Sequence, residues 1–254
     1  MKFKIAWFLV KKNGLKALFA NLNYRIFGKS KLYTHASSVD FRRANIPIAD
    51  SEFDFINKLL PQEDANDIAN ALATARKKLS EYVFDERELE FPTKWNSGTG
   101  LQTILCALVI LSKPQLVIET GTANGYSSRA IGIGLSFNKL GKLYSFDVIK
   151  TRATWLDSRI NQYVELMLTD KHSYSLKEYL KTLEIADKRS IFFHDSDHSY
   201  INQSDEYELA IKSNFSLLIS DDVDSTLAFT ELENQNKVVY FDKNKFIGGV
   251  NLEK

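Results

Sequence analysis

The sequence is poor in cysteine, proline and glycine, and each shortage excludes a class of protein. One cysteine among 254 residues, Cys106, cannot form an internal disulfide, which excludes a disulfide-stabilised scaffold and predicts a reducing, cytoplasmic location. Its 4 prolines and 11 glycines argue against a disordered or linker-rich chain. No apolar run reaches the length of a transmembrane helix. A globular protein is expected, and an apolar fraction of 44% suffices for a sizeable core.

Acidic residues are also missing from the start of the chain, where the first is Asp40. Eight Lys and Arg residues precede it, although the whole chain has a net charge of only +1, so the remainder is acidic. Residues 1–30 show the apolar spacing of amphipathic helices. A basic amphipathic segment is typical of peripheral contact with an anionic membrane, of contact with a second copy of the chain, or of packing on its own domain. The sequence leaves these three alternatives open.

Residues 1–94 are predicted to form a helical extension before an α/β domain at residues 95–254. Pro47 disfavours a helix, so residues 31–50 are expected to form a loop. Ser51, followed three residues later by an acid, predicts the start of a capped helix. These leading segments contain no pattern that indicates chemistry.

The chain is organised around the segment Glu119-Thr-Gly-Thr-Ala-Asn-Gly-Tyr-Ser127. Residues 116–118 form an apolar run of the size of a buried parallel strand, and the residues after the segment have helical spacing. Gly121 and Gly125 permit a tight turn and a close approach to a nucleotide-like ligand. A dinucleotide-binding fingerprint would place a third glycine where the chain has Ala123. The alternative is an ordinary strand-to-helix turn.

This segment resembles the first motif of class I S-adenosylmethionine-dependent methyltransferases, and its Gly-Tyr-Ser ending is similar to that of catechol-type O-methyltransferases. The resemblance implies an α/β fold, a Rossmann-like seven-stranded methyltransferase sheet with helices on both faces. It also implies that S-adenosylmethionine binds here, with loop amides and a serine near its methionine carboxylate, which a helix N-terminus favours. The residues implied in binding are Glu119, Gly121, Gly125, Tyr126 and Ser127.

Two further acids follow later strands. Asp147 ends the next predicted strand, about one strand–helix repeat after Glu119, where a carboxylate can accept hydrogen bonds from the hydroxyls of a ribose. The resemblance implies the same role for it. It also implies that Asp170, after the third strand, lies near the adenine amino group of the cofactor. The alternatives are a helix cap for Asp147 and a turn for Asp170.

Acids also follow the fourth and fifth predicted strands. Residues beyond the carboxyl ends of adjacent parallel strands meet in one crevice, so Asp195, Asp221 and Asp222 are expected to lie together. Three carboxylates at one point repel one another unless a cation neutralises them. Their hard oxygen donors favour magnesium or calcium over zinc.

These acids are similar to the magnesium ligands of catechol-type and macrolide-sugar O-methyltransferases. The second group has an Asp-x-x-His motif, in which the histidine is the proposed general base, and an acidic pair after the next strand. Asp195 with His198, and the pair Asp221-Asp222, match that arrangement. The Pro-Gly-Gly usual before the fifth strand is replaced here by Lys212-Ser-Asn. The resemblance therefore implies that the three aspartates bind Mg²⁺ and that His198 is the general base. The alternative role for His198 is a supporting hydrogen bond near the cofactor.

Together these features predict an S-adenosylmethionine-dependent O-methyltransferase, assisted by a divalent metal, that acts on a hydroxyl of a sugar, a glycan or another small molecule. The alternatives are a metal-independent small-molecule methyltransferase and a non-catalytic binding protein that retains the fold. The acidic body of the chain, without a basic aromatic stripe, argues against a nucleic-acid partner.

Overall fold

The computed structural model describes most of the chain after its first 38 residues. The described residues are 39, 41–42, 44–82, 89–149, 156–169, 174–183, 189–233, 236–243 and 245–253. The amphipathic segment 1–30 and Asp170 lie outside them, so the predictions made for both are untested. Within the described residues, no helix is both long enough and apolar enough to cross a membrane.

Six helices and eight strands occur in the described part of the chain. The helices are α1 (Glu52–Leu59), α2 (Ala65–Ser80), α3 (Thr99–Ser112), α4 (Tyr126–Asn138), α5 (Tyr174–Lys181) and α6 (Tyr200–Lys212). The strands are β1 (Ile48–Ala49), β2 (Leu116–Thr120), β3 (Lys142–Asp147), β4 (Val164–Leu168), β5 (Ser190–His194), β6 (Leu217–Ser220), β7 (Lys237–Asp242) and β8 (Lys245–Asn251).

The strands form one sheet in the order β1-β7-β8-β6-β5-β2-β3-β4. Strand β8 is antiparallel to both of its neighbours, and the other described pairs are parallel. The predicted alternation of strands and helices with a closing hairpin is therefore confirmed. The order reverses at β2, which lies between β3 and β5, and the carboxyl ends of β2, β3, β5 and β6 meet at one edge. Such a reversal opens a crevice for a ligand.

The sheet is buried on both faces, which explains why its central strands are almost wholly apolar. Successive residues of a strand point to opposite faces. Val117 and its register partner Ile191 pack against helices α1 to α4. Ile118 and its register partner Phe192 pack with α5 and α6 on the other face.

The leading helices share the core of the sheet. Apolar residues of α1 and α2 belong to the same buried cluster as those of α3 and α4. The expected cap is confirmed, since the Asp54 N–H donates to Ser51 Oγ at 3.1 Å. The prediction of a loop throughout residues 31–50 is wrong at its end, where β1 pairs in parallel with β7. This two-residue strand exists because the edge of β7 supplies its partners, and so short a strand leaves no periodic signal in the sequence.

Helix α3 is almost completely buried, and its N-terminus is capped from a distant strand. Its own N-cap residue, Gly98, provides no side chain. Instead, Oδ2 of the buried Asp242, at the end of β7, accepts a hydrogen bond from the Leu101 N–H at 3.3 Å. A Cβ atom at Gly100 would lie only 2.7 Å from that oxygen, so glycine permits the approach. A carboxylate at this end of a helix is favoured by the helix dipole.

The first prediction concerns this cap. Asp242→Ala removes the carboxylate from a buried helix N-terminus and should lower the free energy of unfolding by about 1–2 kcal/mol. Glu178→Ala is the control, because Glu178 forms only an exposed ion pair with Lys181, and it should change stability by less than about 1 kcal/mol. Urea unfolding of both variants measures the difference. Equal effects would show that Asp242 does not stabilise α3.

Candidate functional site

A cavity of about 540 Å³ opens at the carboxyl ends of β2, β3, β5 and β6. One wall is the glycine loop, which we define as residues 121–125, together with the first turn of α4. Asp147 at the end of β3 adjoins this wall. Another part of the lining, which begins next to the glycine loop, carries Asp195, His198, Asp222 and Lys245. The sheet thus places two predicted groups of polar residues around one space.

The glycine loop has the backbone shape that glycine allows. Gly121 and Gly125 have φ angles of 90° and 74°, in the left-handed region. A Cβ atom at Gly121 would lie 2.1 Å from the carbonyl oxygen of Asp195, so the loop lies directly against the end of β5. Tyr126 and Ser127 then begin α4, and both line the cavity. A helix N-terminus beside the cavity favours a negatively charged ligand group there.

Asp147 connects the glycine loop to the neighbouring strand. Its Oδ2 accepts hydrogen bonds from the backbone N–H groups of Thr122 and Ala123, at 2.8 and 3.0 Å. Its Oδ1 accepts from the Ile149 N–H at 3.0 Å. The carboxylate therefore fixes the loop and lines the cavity at the same time.

Glu119, predicted to bind the cofactor, lies behind the glycine loop and does not line the cavity. Its fully buried carboxyl group accepts hydrogen bonds from the hydroxyls of Ser128 on α4 and Ser145 on β3. Burial raises the pKa of Glu119 to about 7, and the serine hydrogen bonds oppose that rise. In this geometry Glu119 holds β2, β3 and α4 together, and its effect on a ligand is indirect.

Asn124 was not identified from the sequence, yet it ties an earlier segment to the glycine loop. Its Oδ1 accepts from the backbone N–H groups of Glu90 and Phe91 at 3.1 and 2.9 Å. Its Nδ2 donates to the carbonyl of Phe91 at 3.0 Å and to Asn96 Oδ1 at 2.7 Å. Phe91 and Trp95 consequently form an aromatic part of the cavity wall. These contacts span about thirty positions, and no local pattern could have revealed them.

The structure brings the three predicted aspartates together: Asp195 and Asp222 line the cavity, and Asp221 is buried behind it. His198 Nε2 lies 3.6 Å from Asp195 Oδ1 and 3.4 Å from Asp222 Oδ2. Asp222 has a left-handed backbone, with φ of 49°, which asparagine and aspartate tolerate better than most residues. Lys245, another residue missed from the sequence, forms an ion pair with Asp221 and lies 3.9 Å from Asp222 Oδ2.

This arrangement does not fit the predicted divalent ion. The donor types suit a hard cation, but an ammonium group already lies among the carboxylates. Within the described residues, no three His, Cys, Asp or Glu side chains are arranged as a ligand set. Burial opposes the charge of Lys245, yet the carboxylates of Asp221 and Asp222 outweigh it and raise the pKa of the ammonium. Burial and the charge of Asp221 raise the pKa of Asp195.

His198 is held in its neutral form. Desolvation, followed by the neighbouring His194, lowers the pKa of His198 to about 4, so its imidazole is unprotonated near neutral pH. His194 itself is fully buried in β5, with Nδ1 2.7 Å from Glu206 Oε2. Glu206 also accepts from Thr120 Oγ1 at 2.5 Å, which links α6 to the ends of β2 and β5. These hydrogen bonds fix the end of β5, and His198 follows that end of the strand.

The second prediction is a pH dependence of stability that arises from Glu119. Its folded-state pKa is about 7, whereas a glutamate in an unfolded chain titrates near ~4.3. The folded protein retains a proton that the unfolded chain has released, so this stabilisation is complete below the unfolded pKa and is lost as the pH rises to about 7. The free energy of unfolding of Glu119→Gln, relative to that of wild type, should therefore rise by about 2–3 kcal/mol from about pH 4.5 to about pH 7.5.

Urea unfolding of wild type and Glu119→Gln at both pH values measures this gain. Glu165→Gln is the control, because its carboxylate is almost half exposed in an ion pair with Lys142. It should show no comparable change in the unfolding free energy. The same stability difference for Glu119→Gln at both pH values would contradict the raised pKa.

No family model and no curated protein matches the sequence, whereas solved structures do. Cofactor-bound Rv0187 from MTB is 18% identical with a TM-score of 0.50, over 79% of this chain and 95% of its own. The O-methyltransferase TomG from Streptomyces achromogenes, in complex with SAM, is 18% identical with a TM-score of 0.47, over 72% and 90%. CalS11, a TDP-rhamnose 3′-O-methyltransferase in calicheamicin biosynthesis, is 14% identical with a TM-score of 0.45, over 73% and 94%.

The structure thus agrees with the sequence-based expectation of fold. Seven strands follow the predicted pattern, β8 is antiparallel to both its neighbours, and β1 adds an eighth strand at the edge. The glycine loop joins β2 to α4 at the point where the strand order reverses. The chain has a Rossmann-like α/β fold, which it shares with the cofactor-bound Rv0187 structure.

Proposed function

We propose that the protein is an S-adenosylmethionine-dependent O-methyltransferase. The observation that supports this most is that two polar groups line one cavity. The glycine loop and Asp147 line this cavity together with His198, a neutral histidine whose side chain is 27% exposed. A cavity of about 540 Å³ is of the size that holds a cofactor or a comparable small ligand.

The chemistry of methyl transfer gives each wall a role. When bound, S-adenosylmethionine supplies a methyl group on a cationic sulfur, and the C–S bond breaks with its electron pair on sulfur as the acceptor oxygen bonds the methyl carbon. The glycine loop and Asp147 orient the methionine and ribose parts of that molecule. His198 takes the proton of the acceptor hydroxyl and returns it to solvent. The protein contributes alignment and proton transfer.

The acceptor in this proposal is a hydroxyl of a sugar, a glycan or another small molecule. Phe91 and Trp95, whose ring centroids are 5.9 Å apart, offer an apolar surface on which a ring could pack. The predicted divalent metal has no support from the described carboxylates, so the proposed reaction does not include one. Methyl transfer from labelled S-adenosylmethionine to a panel of sugars, phenols and lipid glycans tests the activity. A binding protein that only retains the fold would transfer nothing.

The membrane or subunit contact predicted for residues 1–30 belongs to the same proposal. A methyltransferase for lipid-linked glycans would benefit from a basic segment that holds it at an anionic surface. Cytoplasmic location is likewise part of the proposal.

The third prediction concerns cofactor binding. Asp147→Ala should weaken the binding of S-adenosylmethionine and of its demethylated product by about 1–3 kcal/mol, because loop amides and ribose hydroxyls lose their acceptor. Calorimetry measures both affinities. Asp67→Ala, an exposed acid in the first turn of α2, serves as the control and should bind as wild type does. Binding of NAD without binding of the methyl donor would contradict the proposed function.

The fourth prediction concerns proton transfer. His198→Ala and His198→Gln should both slow single-turnover methyl transfer by roughly 10²–10⁴-fold, the usual contribution of a positioned acid–base group. The affinity for S-adenosylmethionine should remain that of wild type in both. Added imidazole should restore part of the rate in the alanine variant, which leaves space for it, and less in the glutamine variant. Full activity in His198→Gln would assign His198 a steric role instead.

A further inference from the structure

The aspartates at the end of the cavity need a positive charge nearby, and the chain supplies one. Asp221 follows β6 with a side chain that is 1% exposed, and Asp222 is the next residue. Buried carboxylates so close together are strongly unfavourable without a cation. The Lys245 ammonium makes a direct hydrogen bond and ion pair with Asp221 and lies 3.9 Å from Asp222. It occupies the position that the sequence assigned to a metal ion.

Backbone hydrogen bonds build this position of Lys245 into the fold. Lys245 is the first residue of β8 and pairs with Asp242 across the turn of the hairpin. The next residue is bound twice to the turn after β6: the Val223 N–H donates to the Phe246 carbonyl at 3.0 Å, and the Phe246 N–H donates to Asp224 Oδ1 at 3.0 Å. The lysine and the aspartates are therefore held together by the sheet, and Lys245 is not a mobile surface side chain.

Lys245 also lines the cavity that the glycine loop lines. An ammonium has three N–H donors, and Asp221 accepts one of them. A cation with further donors, next to a neutral histidine, can hold an acceptor oxygen and stabilise the negative charge that develops when its proton leaves. These are two of the tasks that a divalent ion performs in metal-dependent transfer.

We infer that Lys245 is the resident cation of this carboxylate cluster and takes the place of the divalent ion implied by the family resemblance. The role of Lys245 toward the acceptor oxygen rests on the proposed function, whereas its role as the cation of the cluster does not. Asp221 Oδ1 is buried without a hydrogen-bond partner among the described residues, which leaves one acceptor that a divalent ion would also use. Direct measurement of metal binding therefore decides the matter.

The experiment titrates MgCl₂ into three proteins without cofactor or acceptor: wild type, Lys245→Arg and Lys245→Met. Calorimetry gives the affinity, and thermal unfolding with and without MgCl₂ gives the stabilisation that binding would cause. Wild type and Lys245→Arg, which keeps the charge, should show no saturable binding and no shift in unfolding temperature at millimolar MgCl₂. Lys245→Met should bind Mg²⁺ at least about tenfold more tightly than wild type, because the repelling charge of the ammonium a few ångströms away is gone. It should also unfold at a higher temperature with MgCl₂ than without it.

The wild-type measurement alone can overturn the inference. If wild type binds one Mg²⁺ at micromolar concentrations, Lys245 does not replace the metal, even if Lys245→Met fails to fold. If Lys245→Met unfolds without Mg²⁺ but folds with it, the inference is supported. Equal Mg²⁺ affinity in all three proteins would overturn it.

An activity assay then tests the role toward the acceptor. Wild type should transfer methyl groups at the same rate with chelator as with Mg²⁺, and Lys245→Met should require Mg²⁺ for its remaining activity. Wild-type activity that chelator abolishes would overturn the inference while confirming the proposed function. Absence of transfer in every protein and with every acceptor would refute the proposed function, and the binding results would still decide which cation the cluster holds.

Discussion

This site depends on one constraint: its buried carboxylates must have hydrogen-bond donors or a cation beside them. Parallel strands bring acids to one edge of the sheet, where burial makes each charge unfavourable. Each acid obtains its partners from a different element: Glu119 from serine hydroxyls, Asp147 from the amides of the glycine loop, and Asp221 from the ammonium of Lys245. The hydrogen bonds that satisfy these acids also fix the shape of the cavity, because they join strands, loop and hairpin.

Contacts between the two parts of the cavity lining fix their relative positions. Gly121 lies against the carbonyl of Asp195, so the glycine loop that lines the cavity touches the segment that carries His198. The Glu206 carboxylate bonds to Thr120 on one side and to His194 on the other. In the proposed reaction this rigidity aligns the methyl group with the acceptor oxygen, a requirement that in-line transfer places on the protein.

Long-range polar contacts also join the leading segments to the sheet. Asn124 binds the backbone of residues 90 and 91, and so places Phe91 at the cavity. Asp242 caps α3 from the turn of the hairpin, where it pairs with Lys245. Substrate access and cation placement therefore depend on parts of the chain that contain no recognisable motif.

The sequence by itself determined the features that have local physical causes. Apolar runs predicted the strands, Gly121 and Gly125 predicted the turn, and Ser51 predicted a helix cap, because periodicity and turn chemistry act over a few residues. The alignment of strand ends even predicted that Asp195 and Asp222 would converge and need a cation. Electrostatic repulsion supplied that argument without any structure.

Only the tertiary structure decided which groups meet the acids. Lys245 and Asp221 are 24 positions apart, and Asn124 and Phe91 are 33 apart. The order of strands and the register of the hairpin bring such residues together, and neither leaves a pattern in the residues concerned. Glu119 points to Ser128 and Ser145 instead of the cavity because strand alternation places it on the same face as Val117, beneath α4. A sequence shows that a charge needs a partner, whereas the fold selects the partner, because it sets the distances between residues far apart in the chain.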